Sequence, residues 1–335
     1  MDCKEIVIQP QLEPSMSNNK SYSKFRSLID LTRISEWWLI SFGFILFAFV
    51  PYIYRTNNGM KLEYIIELFT TPPLYLSIII VFSAQIFLFA SNNYFDRHVD
   101  ALDKKKRLRN PMCTGKVTTL EAWALLISTV IISLVISLLF NFLTFIFTAI
   151  ALFVFFFYTA EPLRFKKRVG FDVLTHAFLI NVFPFFLAMI ALWDFHFEAI
   201  FLLFVLIVRS GVAQLLQEIR DFEIDSKVER NTVIVLGQKR AIWIIFTLWL
   251  MVTFSTLILM ITYQLTGFGL RLFFMLILFI CVIYSPTFYH LLITKNYRHF
   301  IETLWMGQGS TSRKIIAYYG ATFGVYFFIV FFFLL

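Results

Sequence analysis

Long apolar runs alternate with short polar segments along nearly the whole chain. Runs near residues 37–54, 74–92, 120–140, 142–158, 171–192, 199–217, 241–261, 270–285 and 315–335 each approach the length a helix needs to cross a bilayer, about 20 residues. The stretch 120–158 is too long for one crossing, and Asn141 is the polar position at which it can fold into a hairpin. The pattern predicts an all-α membrane protein: a nine-helix transmembrane bundle forming a single domain over residues 31–335. A polar tail, residues 1–30, precedes it, with a Ser/Asn-rich patch around Ser15–Ser23. No apolar core precedes Trp37, so no cleavable signal peptide is expected; the longest non-apolar segments are the tail and the loop 286–314, so no appended soluble domain is expected.

Composition agrees with that reading. With 59% hydrophobic residues, 43 Phe and only 15% charged residues among 335, the chain is too apolar for an ordinary soluble globule. Its formal charge of +8 could suggest nucleic acid, but the distribution argues otherwise. All but four of the 29 Lys and Arg residues lie in residues 1–33 and in the segments 93–119, 159–170, 218–240 and 286–314; the four are Arg55, Lys61, Arg209 and Arg271. Such a bias places the N-terminus and these loops on the cytoplasmic side and the C-terminus outside. The expected location is the cell (plasma) membrane, with any site in these loops facing the cytoplasm. Cys3, Cys113 and Cys281 are odd in number and far apart, which suits neither a disulfide framework nor a zinc site.

The candidate chemistry sits where two apolar runs meet charge. In N-N-Y-F-D-R-H-V-D, residues Asn92, Asp96 and Asp100 are spaced i, i+4, i+8, which on a helix makes one polar stripe about 12 Å long. In Q-E-I-R-D-F-E-I-D, Glu218, Asp221 and Asp225 repeat the arrangement, and Gln214 extends it one turn deeper. A single acidic residue at a helix end is often only wetted. Two such stripes on one side of the membrane suit hard divalent cations, and Mg²⁺ reaches proteins through a few carboxylates and substrate phosphates. Close carboxylates repel, so neutralising one is expected to leave stability unchanged or to raise it. Cations follow: Lys104–Arg109 after the first stripe, and Arg164, Lys166, Lys167 and Arg168 after Y-T-A-E-P. Topology explains most of them, but carboxylates beside Arg and Lys are also what a Mg²⁺-bound diphosphate requires. A polyprenyl diphosphate carries that head group and a tail suited to a Phe-lined bundle. His176 and Asn181, within the fifth run, are expected to make interhelical hydrogen bonds.

These residues carry a resemblance. N-N-Y-F-D-R-H-V-D resembles the N-D-x-x-D-x-x-x-D signature of the UbiA superfamily of intramembrane prenyltransferases. R-D-F-E-I-D-S-K-V-E-R-N-T, running to Gly237, is similar to its second D-x-x-x-D motif with downstream Thr and Gly, and Y-T-A-E-P-L-R-F-K to its Y-S-x-P-P-x-R-x-K. The resemblance spans roughly residues 25–335. It implies a cytoplasm-facing cavity in which Asn92, Asp96, Asp100, Asp221 and Asp225 hold Mg²⁺ and the diphosphate. It also implies that Arg33, Arg109, Tyr158, Arg164 and Lys166 bind diphosphate, with Gln214 and Glu218 lining the cavity. Departures from the family pattern are Asn93 where Asp is usual, Glu161 where Pro is usual, and Ile224 and Glu229 where Gly is common.

The function expected is Mg²⁺-dependent transfer of a polyprenyl group from its diphosphate to a lipophilic acceptor, with diphosphate released. The acceptor could be an aromatic quinone precursor, an isoprenoid such as a carotenoid end, or a glycerol-phosphate lipid. Two other classes fit parts of the pattern. A cyclase would close the allylic cation on its own chain, and an ion-binding transporter would use the acidic stripes in transit. Transporters usually place such sites at mid-bilayer, whereas these carboxylates lie at the cytoplasmic ends. Membrane lipid, the donor and the acceptor are the expected partners, and no nucleic acid or obligatory protein partner is called for.

Overall fold

The computed structural model describes residues 24–56, 63, 66, 67, 69–226, 230–245, 247, 248, 250 and 251. Among these the regular structure is entirely helical: α1 (Lys24–Thr32), α2 (Ile34–Thr56), α3 (Pro72–Phe95), α4 (Arg97–Asp100), α5 (Lys104–Arg109), α6 (Thr119–Phe140), α7 (Phe142–Thr159), α8 (Phe171–Ala177), α9 (Phe183–Leu192), α10 (Phe197–Asp225) and α11 (Thr232–Leu236). A 3₁₀ turn covers Phe165–Lys167, and a π turn, Phe178–Val182, joins α8 to α9.

Five of these segments are long and apolar enough to cross a membrane, with α8, the π turn and α9 counting as one, and six if α1 and α2 are taken as a single span bent by 52°. They cover the first six runs expected from the sequence, and the protein is an integral membrane protein. The seventh run, 241–261, is described only in part, and the eighth and ninth lie outside the described residues, so the count of nine is not established. Helix α1 overlaps the end of the segment assigned to the tail; it packs on α3 and buries Leu31.

Helix α3 is the hub, packed against α1, α2, α6, α7 and α9. Pro72 and Pro73 start it, where a missing N–H costs nothing. Facing α3, α6 buries a row of mostly small residues, Ala122, Leu126, Thr129, Ser133 and Ser137, while Ile127, Ile131, Val135 and Leu138 are exposed. Lipid is as apolar as these side chains, so close packing of small residues rather than hydrophobicity brings the helices together. The buried hydroxyls are satisfied by their own helix, as when Ser133 donates to the Thr129 carbonyl at 2.8 Å.

Local signals set the helix ends. Thr118 and Glu121 form a reciprocal capping box at the start of α6. Asn141 ends α6 and caps α7, its Oδ1 accepting from Thr144 N at 2.7 Å, which makes it the hairpin residue expected. In the fifth crossing the Phe183 N–H reaches back to the Phe178 carbonyl instead of Leu179. The Leu179 carbonyl then accepts from Gln85 Nε2 of α3 at 2.7 Å, so the carbonyl left open by the π turn is satisfied from a neighbouring helix. Nearby, Asn181 Nδ2 donates to Ser210 Oγ of α10, the interhelical bond expected of it, whereas His176 Nδ1 is buried and makes no hydrogen bond among the described residues.

Candidate active site

The first acidic stripe straddles the end of α3. Although the helix breaks at Asp96, the backbone bonds Asp96 N to Asn92 O (2.9 Å) and Asp100 N to Asp96 O (2.8 Å) keep helical spacing, so Asn92, Asp96 and Asp100 share one edge as expected. Opposite stands the turn after α7, where Arg164 adopts a left-handed backbone (φ 35°) just before the 3₁₀ turn. Arg164 Nη2 lies 3.3 Å from Asp96 Oδ1. Lys166 Nζ pairs with Asp96 Oδ2 and lies 3.4 Å from Asn92 Oδ1. Residues 68 and 70 positions away thus meet at one carboxylate. This changes the expectation about stability: Asp96 sits between two cations, so neutralising it strips them of a counter-charge instead of relieving repulsion. Tyr158, at the end of α7, is half-buried against the core.

Asp100 is held differently. The buried Asn110 donates through Nδ2 to Asp100 Oδ2 (2.9 Å) and to the Asn93 carbonyl (2.8 Å), and its Oδ1 accepts from Met112 N (3.0 Å). The motifs do not single out Asn110, because the groups to which its Nδ2 donates lie 10 and 17 positions away. Asn93 is also explained. Its Nδ2 donates to the Leu31 carbonyl of α1 at 2.7 Å, a bond an ionised Asp could not make. Arg33, at the break between α1 and α2 (φ 50°), pairs with Glu36, whose second oxygen lies 3.8 Å from Arg109 Nη1.

The second stripe runs along α10. Asp221 and Asp225 occupy its last two turns, while their side chains lie outside the described residues. Both oxygens of Glu218 are engaged: Oε1 accepts from Gln214 Nε2 (2.9 Å) and Oε2 from Val233 N (3.1 Å). The preceding amide, Thr232 N, donates to Asp172 Oδ2 at 2.5 Å; Thr232 Oγ1 donates to Asp172 Oδ1 and accepts from Gly170 N at 2.7 Å. Asn231 caps the same turn, its Oδ1 accepting from Ile234 N at 2.9 Å. Two buried carboxylates on different helices therefore grip consecutive amides just beyond the acidic stripe, and fix where the chain returns after Asp225. Asp172 was missed in the sequence because it stands alone in an apolar run.

Every donor offered by Asn92, Asp96 and Asp100 is an oxygen, which fits a hard cation such as Mg²⁺. No group of three or more His, Cys, Asp or Glu among the described residues forms a metal site by itself, so a complete coordination shell requires the second stripe or a ligand. Arg33 Nε and Arg164 Nε are buried donors with no hydrogen-bond partner among the described residues. Guanidinium donors on both flanks of a carboxylate stripe are the complement of an anion that brings its own oxygens.

Comparison with known proteins agrees with this geometry. The model of the UbiA prenyltransferase family matches residues 66–306. No curated protein sequence matches the chain. Among solved structures, the fold is similar to that of a UbiA homologue from Archaeoglobus fulgidus bound to GPP and Mg²⁺, with a TM-score of 0.62 and 20% identity over 92% of this chain and 99% of that one. A structure of digeranylgeranylglyceryl phosphate synthase gives 0.62 and 18% over 93% and 97%. A UbiA homologue from Aeropyrum pernix K1 gives 0.56 and 16% over 87% and 97%. At such identities the structures speak to fold alone, while the family match extends over most of the chain and includes both acidic stripes and the Arg164–Lys166 turn between them. The chain belongs to the UbiA prenyltransferase family.

Proposed function

We propose that this protein cleaves the allylic C–O bond of a polyprenyl diphosphate and transfers the prenyl group to a lipophilic acceptor, releasing diphosphate. The observation that carries the reading is the meeting of Arg164 and Lys166 with Asn92 and Asp96 at the end of α3. A carboxylate edge lined by cations from a separate loop matches a head group that is anionic and metal-bound together. The A. fulgidus homologue bound to GPP and Mg²⁺ supports the same assignment.

Asn92, Asp96 and Asp100, with Asp221 and Asp225 of α10, are the residues that would hold Mg²⁺, which when bound supplies positive charge to the departing oxygens. The chain's own groups do the rest. Arg164 and Lys166, joined by Arg33 and Arg109, bind phosphate oxygens and stabilise the leaving group as negative charge develops. Tyr158, half-buried at the end of α7, offers an aromatic face to the allylic cation. Gln214 and Glu218 line the deeper side of the cavity, Glu218 while also holding the Val233 amide. The surrounding helices exclude water, so the cation meets the acceptor before solvent. The bias of Lys and Arg toward these loops supports a cytoplasm-facing site, in what we take to be the plasma membrane, with residues 31–335 acting as one catalytic domain. Aromatic quinone precursors, isoprenoids and glycerol-phosphate lipids are the acceptor classes that fit.

The test is to incubate purified protein with Mg²⁺, labelled polyprenyl diphosphates of several lengths and a membrane-lipid extract, and to identify the labelled product. Label in an extract-dependent lipid, with diphosphate released, is expected. Release of a cyclised hydrocarbon without extract would assign a cyclase instead, and no diphosphate release under any condition would refute the reading.

A further inference from the structure

Glu36 has no place in the acidic stripes, yet it is the shared partner of two arginines. Its position follows from the break between α1 and α2. Arg33 takes a left-handed backbone there, the Glu36 N–H closes on the Arg33 carbonyl at 2.8 Å, and Trp37 Nε1 locks the corner by donating to the Thr32 carbonyl at 2.9 Å. Glu36 thus enters the first turn of α2, where a carboxylate is favoured by the helix dipole. One of its oxygens pairs with Arg33 Nη2, and the other lies 3.8 Å from Arg109 Nη1. The Arg33 guanidinium also sits over the Phe89 ring of α3, 5.2 Å from its centre.

Arg109 needs that partner more than Arg33 does. Arg33 is held by the corner, the ring and the carboxylate, with its side chain 16% exposed, whereas Arg109 is 50% exposed at the end of the short helix α5. Burial and then repulsion from Arg33 hold the Arg109 guanidinium below its ordinary value, against the pull of Glu36, Asp100 and Asp103. The two arginines therefore feel each other, and like charges this close separate unless an anion lies between them. Arg109 adjoins Asn110, which grips Asp100, so this pair flanks the Asp100 end of the stripe as Arg164 and Lys166 flank the Asp96 end.

We infer that Glu36 is a positioning residue for the diphosphate: its carboxylate yokes Arg33 and Arg109 into a two-guanidinium clamp beside Asp100. The inference rests on the diphosphate reading above. Without the carboxylate, Arg109 turns to solvent, and the site loses one charged hydrogen bond to phosphate.

The experiment is a double-mutant cycle read by titration calorimetry, with inorganic pyrophosphate and Mg²⁺ added to the full-length protein in lipid nanodiscs. Glu36→Gln and Arg109→Ala should each weaken pyrophosphate binding roughly ten-fold, and the double variant should bind no more weakly than Arg109→Ala alone. Glu36→Asp, which keeps the charge on a shorter arm, should recover part of the loss, and melting temperatures should not follow affinity across the set. Unchanged binding in Glu36→Gln, or losses that add in the double variant, would overturn the inference. If the unmutated protein binds no pyrophosphate, the diphosphate reading itself falls, and this inference with it.

Discussion

Replacing Lys166 with Met tests the site in two directions at once. Lys166 Nζ pairs with Asp96 Oδ2 and lies 3.4 Å from Asn92 Oδ1, and the Lys166 and Asp96 side chains are only 13% and 12% exposed. The ammonium occupies the carboxylate that a metal would use, and on the proposed function it would itself bind phosphate. Removing it should weaken diphosphate binding by one charged hydrogen bond, about 1.5–3 kcal/mol or roughly ten- to a hundred-fold. The same change should strengthen binding of a divalent cation added alone. The Coulomb attraction of such a pair is about 4 kcal/mol in an intermediate dielectric. Most of it is offset by desolvation, leaving roughly 1 kcal/mol of competition and about five-fold tighter metal binding. Spin-resonance titration of free Mn²⁺ reads the first ligand, and calorimetry with pyrophosphate and Mg²⁺ reads the second. Opposite shifts are expected, with Lys166→Arg close to the unmutated protein. If both affinities fall together, or neither moves, Lys166 does not stand between metal and phosphate.

Three further outcomes follow from the same geometry. Asp96→Asn should abolish Mg²⁺-dependent diphosphate release and also lower the melting temperature, because Arg164 and Lys166 lose their counter-charge; full activity would remove the first stripe from the site. Asp172→Ala should destabilise the protein by roughly 3 kcal/mol, since it leaves the buried Thr232 amide and the half-buried Val173 amide without their acceptor; a melting curve that does not shift would show that this grip is dispensable. Burial first and the Asp100 charge second push the Cys113 thiol above its ordinary value, so with Cys3 and Cys281 replaced by Ser its alkylation should be slow at about pH 8. Asp100→Asn should speed that alkylation by lowering the thiol pKa, and an unchanged rate would show that the two groups do not interact.

What could be read directly from the chain is what neighbouring positions settle among themselves. Hydropathy located the five crossings that the described residues show, six with the bent α1–α2 pair, Asn141 announced the hairpin as a cap, and the spacing of Asn92, Asp96 and Asp100 put them on one edge. Each depends on contacts within a turn or two of helix. The motifs named Arg164 and Lys166 as phosphate ligands but did not say that both converge on Asp96. Asn110, Asn93, Asp172 and Glu36 were absent from the sequence reading or stood as departures in it. In each of these cases the side chain answers a backbone group or a charge on another segment, 10 to 62 positions away, or, for Glu36, joins a neighbour to an arginine more than 70 positions on. In a bilayer, helices gain little by burying apolar surface against one another, so close packing of small residues decides which helix meets which. That choice, made by α3 and the rows facing it, brought the cations to the carboxylates, and no run of consecutive residues encodes it.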